Sequence, residues 1–371
     1  MTFDETLEEL RASGNLRHIP SGETQDLVDF TSNDYLGLGR RHDLLTRFLA
    51  DQQTDPAPLT ASASRLLAAR QKSFNRLEAL LADLYGRPAL LFNSGYHANT
   101  GIVSAIASQP STLIVADKLV HASIIDGIVL SRAPFKRFRH NDYGHLERIL
   151  ESEKERWQNI LIIVESVYSM DGDRADIERL ADIKRITPGA LLYVDEAHAV
   201  GVQGPCGLGL TMTSGKADDV DIIVGTFGKA LASSGAFAAV SAELREFLVN
   251  RARSLIFSTA MAPMTAEWTR LMLETSLTMD AERTRLKELS RRLAEVTGQA
   301  DPSHIQPLMA GDARRAVMFS EQLRSRGYQV LPIRTPTVPA GTERLRISLS
   351  ASLTDAELNG LAEALKQLKE P

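Results

Sequence analysis

Leu191-Leu192-Tyr193-Val194-Asp195-Glu196-Ala197-His198 is an apolar run that stops abruptly on titratable groups. The run is short and continuous rather than alternating, which reads as a strand covered on both faces. Similar runs recur at 89–92, 112–116, 160–164, 221–225 and 236–240, separated mostly by helix-length segments such as 144–156 and 176–186. That alternation predicts an α/β fold, with a mostly parallel sheet and helices on both faces. In such sheets ligands gather at the carboxyl ends of the strands, so the residues just after each run are the ones to read for chemistry.

Outward from this core the pattern changes. An amphipathic helix near 2–13 leads into a short strand, Leu27-Val28-Asp29-Phe30, and a polar turn over 31–38, which together read as an arm laid on the main domain. A helical pattern from about 70, through Leu77, Leu80, Leu81 and Leu84, ends at Gly86. Toward the C-terminus, long helical stretches at 279–297 and 353–369 flank the strand-like Arg344-Leu345-Arg346-Ile347-Ser348-Leu349. We read an arm over 1–40, a large domain over 41–275 and a smaller α+β domain over 276–371. A chain of 371 residues exceeds what one hydrophobic core usually organises.

Composition narrows the function. With 43% hydrophobic and 24% charged residues the chain is an ordinary globular one, and its formal net charge of -5 comes without any basic block to follow a phosphate backbone. No nucleic-acid partner is expected. Cys206 is the only cysteine, so an internal disulfide and a cysteine-built metal cluster are excluded within one chain. The acidic N-terminus lacks the basic start and apolar centre of a signal peptide, and no stretch approaches the roughly 20 apolar residues of a membrane span. We expect a soluble, cytoplasmic protein.

The strand ends carry the candidates. After 89–92 comes Asn93-Ser94-Gly95-Tyr96-His97, where a small residue and a glycine precede a helix, a place suited to an anion. After 112–116 comes His121-Ala122-Ser123, with a histidine able to stack on an aromatic ligand or move a proton. After 160–164 comes an acidic loop, Ser169-Met170-Asp171-Gly172-Asp173, whose spacing does not supply a calcium loop's ligands. In the opening stretch Asp195 can hold a pyridine nitrogen protonated, with His198 addressing the same ligand. Finally, Val224-Gly225-Thr226-Phe227-Gly228-Lys229-Ala230 sets a lone lysine among small residues. A buried lysine loses its charge more readily, and the neutral amine forms a Schiff base with an aldehyde such as pyridoxal phosphate.

Two rivals fail on spacing. Asp-Glu-Ala-His after a strand is also a helicase box, but no Gly-x-x-x-x-Gly-Lys-Ser/Thr precedes it. A zinc hydrolase needs His-Glu-x-x-His, which does not occur, and no metal is expected.

The ordered motifs resemble the α-oxoamine synthase family over almost the whole chain. They are Ser32-Asn33-Asp34-Tyr35-Leu36-Gly37-Leu38, Ser94-Gly95-Tyr96, His121-Ala122-Ser123, Ser169-Met170-Asp171-Gly172-Asp173, Asp195-Glu196-Ala197-His198, Thr226-Phe227-Gly228-Lys229 and Pro336-Thr337-Val338-Pro339. The resemblance implies a fold-type I transferase dependent on pyridoxal 5'-phosphate. Carried over, it makes Lys229 the cofactor's Schiff-base lysine and later its acid/base, Asp195 the partner of the pyridinium nitrogen, and His198 and Ser169 the partners of the phenolic oxygen. His121 would stack on the ring and border the substrate. Ser94, Gly95, Tyr96 and Thr226 would surround the cofactor, with Thr226 on its phosphate. Asn33 and Arg346 would hold the amino-acid carboxylate, while Arg17 and Thr337 would contact substrate. The family works as a homodimer with sites at the interface, and Ser258 and Thr259 resemble the segment that reaches the neighbouring subunit's phosphate. One stretch departs: Leu59-Thr60-Ala61-Ser62-Ala63-Ser64-Arg65-Leu66-Leu67 stands where many members are glycine-rich. Added Cβ atoms there oppose positive φ.

Family members join alanine to a pimeloyl thioester, glycine to acetyl-CoA or succinyl-CoA, or serine to a long acyl-CoA. Ile305-Gln306-Pro307-Leu308 and the stretch 333–342 look most like the alanine and pimeloyl members. The alternative is glycine with acetyl-CoA. The acyl carrier, CoA or a carrier protein, stays open.

Overall fold

The computed structural model describes residues 2–17, 19 and 27–368. Its contacts group into two compact units: Leu36–Tyr168 with Arg174–Arg283, and Met1–Tyr35 with Ser169–Asp173 and Thr284–Pro371.

Chain-ordered strands are β1 (Val28–Asp29), β2 (Ala89–Phe92), β3 (Thr112–Asp117), β4 (Phe135–Phe138), β5 (Asn159–Glu165), β6 (Ala190–Asp195), β7 (Ile222–Thr226), β8 (Ala236–Val240), β9 (Ile305–Met309), β10 (Tyr328–Gln329), β11 (Leu331–Ile333) and β12 (Arg344–Ser348). The larger unit holds one seven-stranded sheet in the order β2-β8-β7-β6-β5-β3-β4. Neighbours from β7 to β4 run parallel. β8 lies antiparallel to both β2 and β7.

Period-two alternation explains why these strands are apolar throughout. Ile160, Ile162 and Val164 of β5 join Val115, Leu192 and Ile223 in one buried layer, packed under Leu77 and Leu81 of helix Lys72–Tyr85. Leu161 and Ile163 face the other way, joining Ile114, Tyr193 and Val224 under Ile102, Val103, Ile124 and Ile128. Helices Gly95–Ala107 and Ala122–Ser131 supply those last four. Each such aliphatic side chain, fully buried, contributes roughly 1.5–3 kcal/mol from water exclusion. Helix Lys72–Tyr85 ends as expected at Gly86, whose φ of +67° is a left-handed cap. β4, which the sequence did not announce, reads Phe-Lys-Arg-Phe and sits at the sheet edge with three of its four residues exposed, so it carries no apolar run.

The smaller unit contains the antiparallel sheet β11-β12-β9 and the parallel pair β1-β10. Its helices Ala313–Arg324 and Asp355–Lys366 are started by the side chains of Asp312 and Thr354. Of the expected arm, the described residues up to Tyr35 group with this unit, and Leu36–Arg40 with the larger one. Val28 pairs with Tyr328, and the backbone N–H groups of Ser348 and Ala351 donate to the carbonyls of Phe30 (2.8 Å) and Tyr35 (2.8 Å). Sequence proximity misleads here because these partners lie about three hundred residues away. Among the described residues no helix is long and apolar enough to cross a membrane.

Candidate active site

In the larger unit the carboxyl ends of successive parallel strands present polar groups: Asp117 closes β3, Glu165 β5, Asp195 β6 and Thr226 β7. Asp195 is 4% exposed. Its Oδ1 accepts from the Ala197 N–H at 2.8 Å and its Oδ2 from Asn99 Nδ2 at 2.7 Å. The turn that follows is pinned by Glu196, fully buried, which accepts from Ser166 Oγ (2.5 Å), the Leu210 N–H (3.1 Å), and both the N–H (2.6 Å) and Oγ1 (2.5 Å) of Thr211. Burial pushes the Glu196 carboxyl upward, and those donors oppose the shift.

The turn thereby delivers His198, whose Nε2 lies 2.7 Å from Lys229 Nζ. Lys229 is half-buried rather than buried. Its loop is closed by the Ala232 N–H on the Lys229 carbonyl (2.9 Å) and by Trp268 Nε1 on the Ala232 carbonyl (3.2 Å). His121 caps helix Ala122–Ser131 and shares a 2.7 Å hydrogen bond between its Nδ1 and Ser123 Oγ. Desolvation lowers its pKa and so does Lys229, while Asp195 raises it.

Ser94 caps helix Gly95–Ala107 by accepting from the His97 N–H. A Cβ built on Gly95 would sit 3.8 Å from Thr226 Cβ, so the helix start and Thr226 face each other across a narrow space. The Tyr96 hydroxyl donates to Asp126 Oδ2 at 2.5 Å, and its pKa is raised chiefly by that bond. Ser258 accepts at 3.3 Å from Asn93 Nδ2, which also donates to the Thr259 carbonyl at 2.5 Å. Thr259 pairs with Ser64 as an isolated bridge, and the Ala260 N–H donates to the Ala63 carbonyl at 2.9 Å. The stretch 59–67 is thus tied down, with Ser62 at a φ of +51°.

The smaller unit gathers a second set. Arg346, 3% exposed, donates from Nε to the Ser169 carbonyl (2.6 Å), from Nη1 to Ser348 Oγ (2.6 Å) and from Nη2 to Asn33 Oδ1 (3.1 Å). Tyr35, fully buried, donates to Asn33 Oδ1 at 2.8 Å. Arg17 Nη2 meets Thr337 Oγ1 at 3.1 Å, both on exposed residues. Arg344 pairs with Asp171.

Asn99, Ser123, Tyr193 and Tyr35 join the site although the sequence assigned them no role, Ser123, Tyr193 and Tyr35 standing inside motifs read for their neighbours. Asn99 and Ser123 lie in helices, and only the fold brings them to a strand end. The donor set of the larger unit fits a phosphorylated pyridine aldehyde. It offers an amine for the aldehyde, a buried carboxylate for a ring nitrogen, a flat imidazole for the ring face, and a helix start for the phosphate.

The family model for aminotransferase class I and II matches residues 25–365. A putative 8-amino-7-oxononanoate synthase of Pasteurella multocida is 43% identical, covering 99% of this chain and 99% of its own. Among solved structures, serine palmitoyltransferase from S. paucimobilis with bound PLP-myriocin aldimine superposes with a TM-score of 0.88 at 27% identity, covering 98% of this chain and 95% of that one. An 8-amino-7-oxononanoate synthase from Francisella tularensis gives a TM-score of 0.78 at 28% identity, covering 92% and 97%. A lysine–histidine pair beside a buried aspartate, on a fold shared across nearly the full length with these synthases, leaves one assignment: the chain belongs to the α-oxoamine synthase family of PLP-dependent enzymes.

Proposed function

We propose that this enzyme condenses L-alanine with a pimeloyl thioester, pimeloyl-CoA or pimeloyl carrier protein, to give 8-amino-7-oxononanoate, carbon dioxide and free thiol for biotin synthesis. The observation that carries the chemistry is the 2.7 Å approach of Lys229 Nζ to His198 Nε2 beside the buried Asp195. The choice of substrates rests on the names of the full-length relatives and on the segments 305–308 and 333–342.

Pyridoxal 5'-phosphate is the cofactor, and when bound it supplies an electron sink for charge on the amino acid's α-carbon. The chain's own groups do the rest. Lys229 would hold the cofactor and, once released, take the α-proton. Asp195 would keep the ring nitrogen protonated, and His198 with Ser169 would take the phenolic oxygen. Thr226, Ser94, Gly95 and Tyr96 would surround the cofactor, while Asn33 and Arg346 would hold the substrate carboxylate through Arg's planar fork. A carbon–carbon bond forms from the α-carbon to the thioester carbonyl carbon as the carbon–sulfur bond breaks. The carboxylate then leaves as carbon dioxide, and a proton returns to the α-carbon. In this reading the protein acts in the cytoplasm as a homodimer, with Ser258 and Thr259 serving the neighbouring subunit.

Thiol release from a panel of acyl thioesters offered with alanine, glycine or serine tests the assignment. Turnover with pimeloyl thioester and alanine, lost in Lys229→Ala together with the visible absorbance of the bound cofactor, is the expected result. Turnover with acetyl-CoA and glycine alone would make it a glycine C-acetyltransferase instead.

A further inference from the structure

Behind Asp195 and His121 runs a line of buried hydrogen bonds whose donor sense can be worked out atom by atom. Tyr193, fully buried on β6, sets its hydroxyl 2.5 Å from Asn99 Oδ1. Burial, with Asp195 adding to it, pushes the Tyr193 pKa upward, so its hydroxyl keeps its proton and donates. The oxygen of the Asn99 carboxamide is thereby turned toward Tyr193. A carboxylate can only accept, which independently turns the Asn99 amide nitrogen toward Asp195 Oδ2 at 2.7 Å. The second hydrogen on that nitrogen points to Ser123 Oγ at 2.9 Å.

Ser123, fully buried, has one hydroxyl proton. The bond from Asn99 turns that proton away from Asn99, and because His121 Nδ1 already accepts the Ser123 backbone N–H, the hydroxyl donates to the same nitrogen, 2.7 Å away. The backbone N–H, 3.2 Å from Nδ1, is fixed by the helix start. A proton on Nδ1 would meet it head-on.

We propose that Asn99 is a positioning residue of this site: with Tyr193 and Ser123 it orients the Asp195 carboxylate and holds the His121 ring neutral, with its proton on Nε2. The proposal rests on the reading of this site as the seat of pyridoxal phosphate. A neutral ring would lie against the cofactor without placing a second cation beside the group that Asp195 would keep protonated. Its Nε2–H stays available as a donor. One carboxamide, on a helix that supplies neither Asp195 nor His121, thus couples the carboxylate at the end of β6 to the imidazole at the start of the next helix. Simple packing of a polar residue in the core would not fix the donor sense of four successive groups.

Nitrogen-15 NMR of the histidine-labelled holoenzyme reads the tautomer directly, with the His121 signals assigned by their loss in His121→Asn. In the wild type Nδ1 should resonate as a bare nitrogen and Nε2 as a protonated one. In Asn99→Ala the two should move toward each other as tautomers mix, and kcat should fall roughly ten- to hundred-fold with KM for the amino acid little changed, the scale seen when a supporting hydrogen bond behind a functional group is removed. Tyr193→Phe removes one donor at nearly constant volume and should shift the same signals in the same direction by less. A protonated Nδ1 in the wild type overturns the proposal. So do unchanged His121 signals in folded Asn99→Ala or, should that variant not fold, in Tyr193→Phe. A wild type that never takes up the cofactor would sink the functional reading instead, and the His121 signals of the unloaded protein would still report the tautomer.

Discussion

Ser62 holds a left-handed conformation, φ +51°, that costs a residue with a Cβ roughly 1–2 kcal/mol. Its N–H is anchored on Thr60 Oγ1 at 3.1 Å, and the next residue is tied to Ala260. Glycine would relieve the strain but lose about 0.5–1 kcal/mol to the greater freedom of the unfolded chain. Ser62→Gly is therefore expected to raise stability by about 0.5–1 kcal/mol, read as a higher urea midpoint at unchanged slope. In the stretch where many family members are glycine-rich, a residue with a side chain thus occupies positive φ. Lys229, Asp195, His198 and His121 stood out as candidates because each follows an apolar run at short range. Asn99 did not, since its meaning lies in a hydrogen bond to a residue on β6, and no local spacing encodes that.

Helices Gly95–Ala107 and Ala122–Ser131 pack closely because Gly127 has no side chain. A Cβ there would fall 2.9 Å from Val103 Cβ and 3.0 Å from the Asn99 carbonyl oxygen. Gly127→Ala should destabilise by about 1–3 kcal/mol, measured by urea denaturation. It should also weaken cofactor retention, because the displaced helix carries Ser123 and starts at His121. A different element shows a pH effect. At the start of helix Asp355–Lys366, Asp355 accepts from Arg285 at 2.6 Å and also pairs with Arg292, and these bonds hold its carboxyl below the usual range. A depressed acid pKa contributes stability above the unfolded-state value and loses it as pH falls through the folded-state value. Asp355→Asn should therefore lower the melting temperature at neutral pH, with the gap from wild type closing in acid and narrowing with salt. Most element positions were readable from periodicity, and β4 escaped because an exposed edge strand needs no apolar pattern.

For the whole chain, the alternation of apolar runs and amphipathic helices was enough to name the class, whereas the grouping of residues 28–35 with the C-terminal segment depends on pairings that no local pattern announces. The proposed homodimer belongs at this scale. Phe257, Leu130 and Val129 expose 70%, 64% and 66% of their surface, and Phe257 and Leu130 line a surface groove of about 550 Å³ close to Ser258. Light scattering should give twice the chain mass, and Phe257→Asp should shift it toward one chain's mass, because a carboxylate buried unpaired in an interface is strongly disfavoured. The antiparallel β8 also has a meaning for biosynthesis. Among the described residues β2, at the sheet edge, pairs only with β8. During translation Leu90-Leu91-Phe92 leaves the ribosome early and waits with unpaired backbone until residues 236–240 follow, shortly after Lys229. The nascent chain thus carries an unfinished edge through most of the larger unit's synthesis, and that edge closes only after Lys229 has been made.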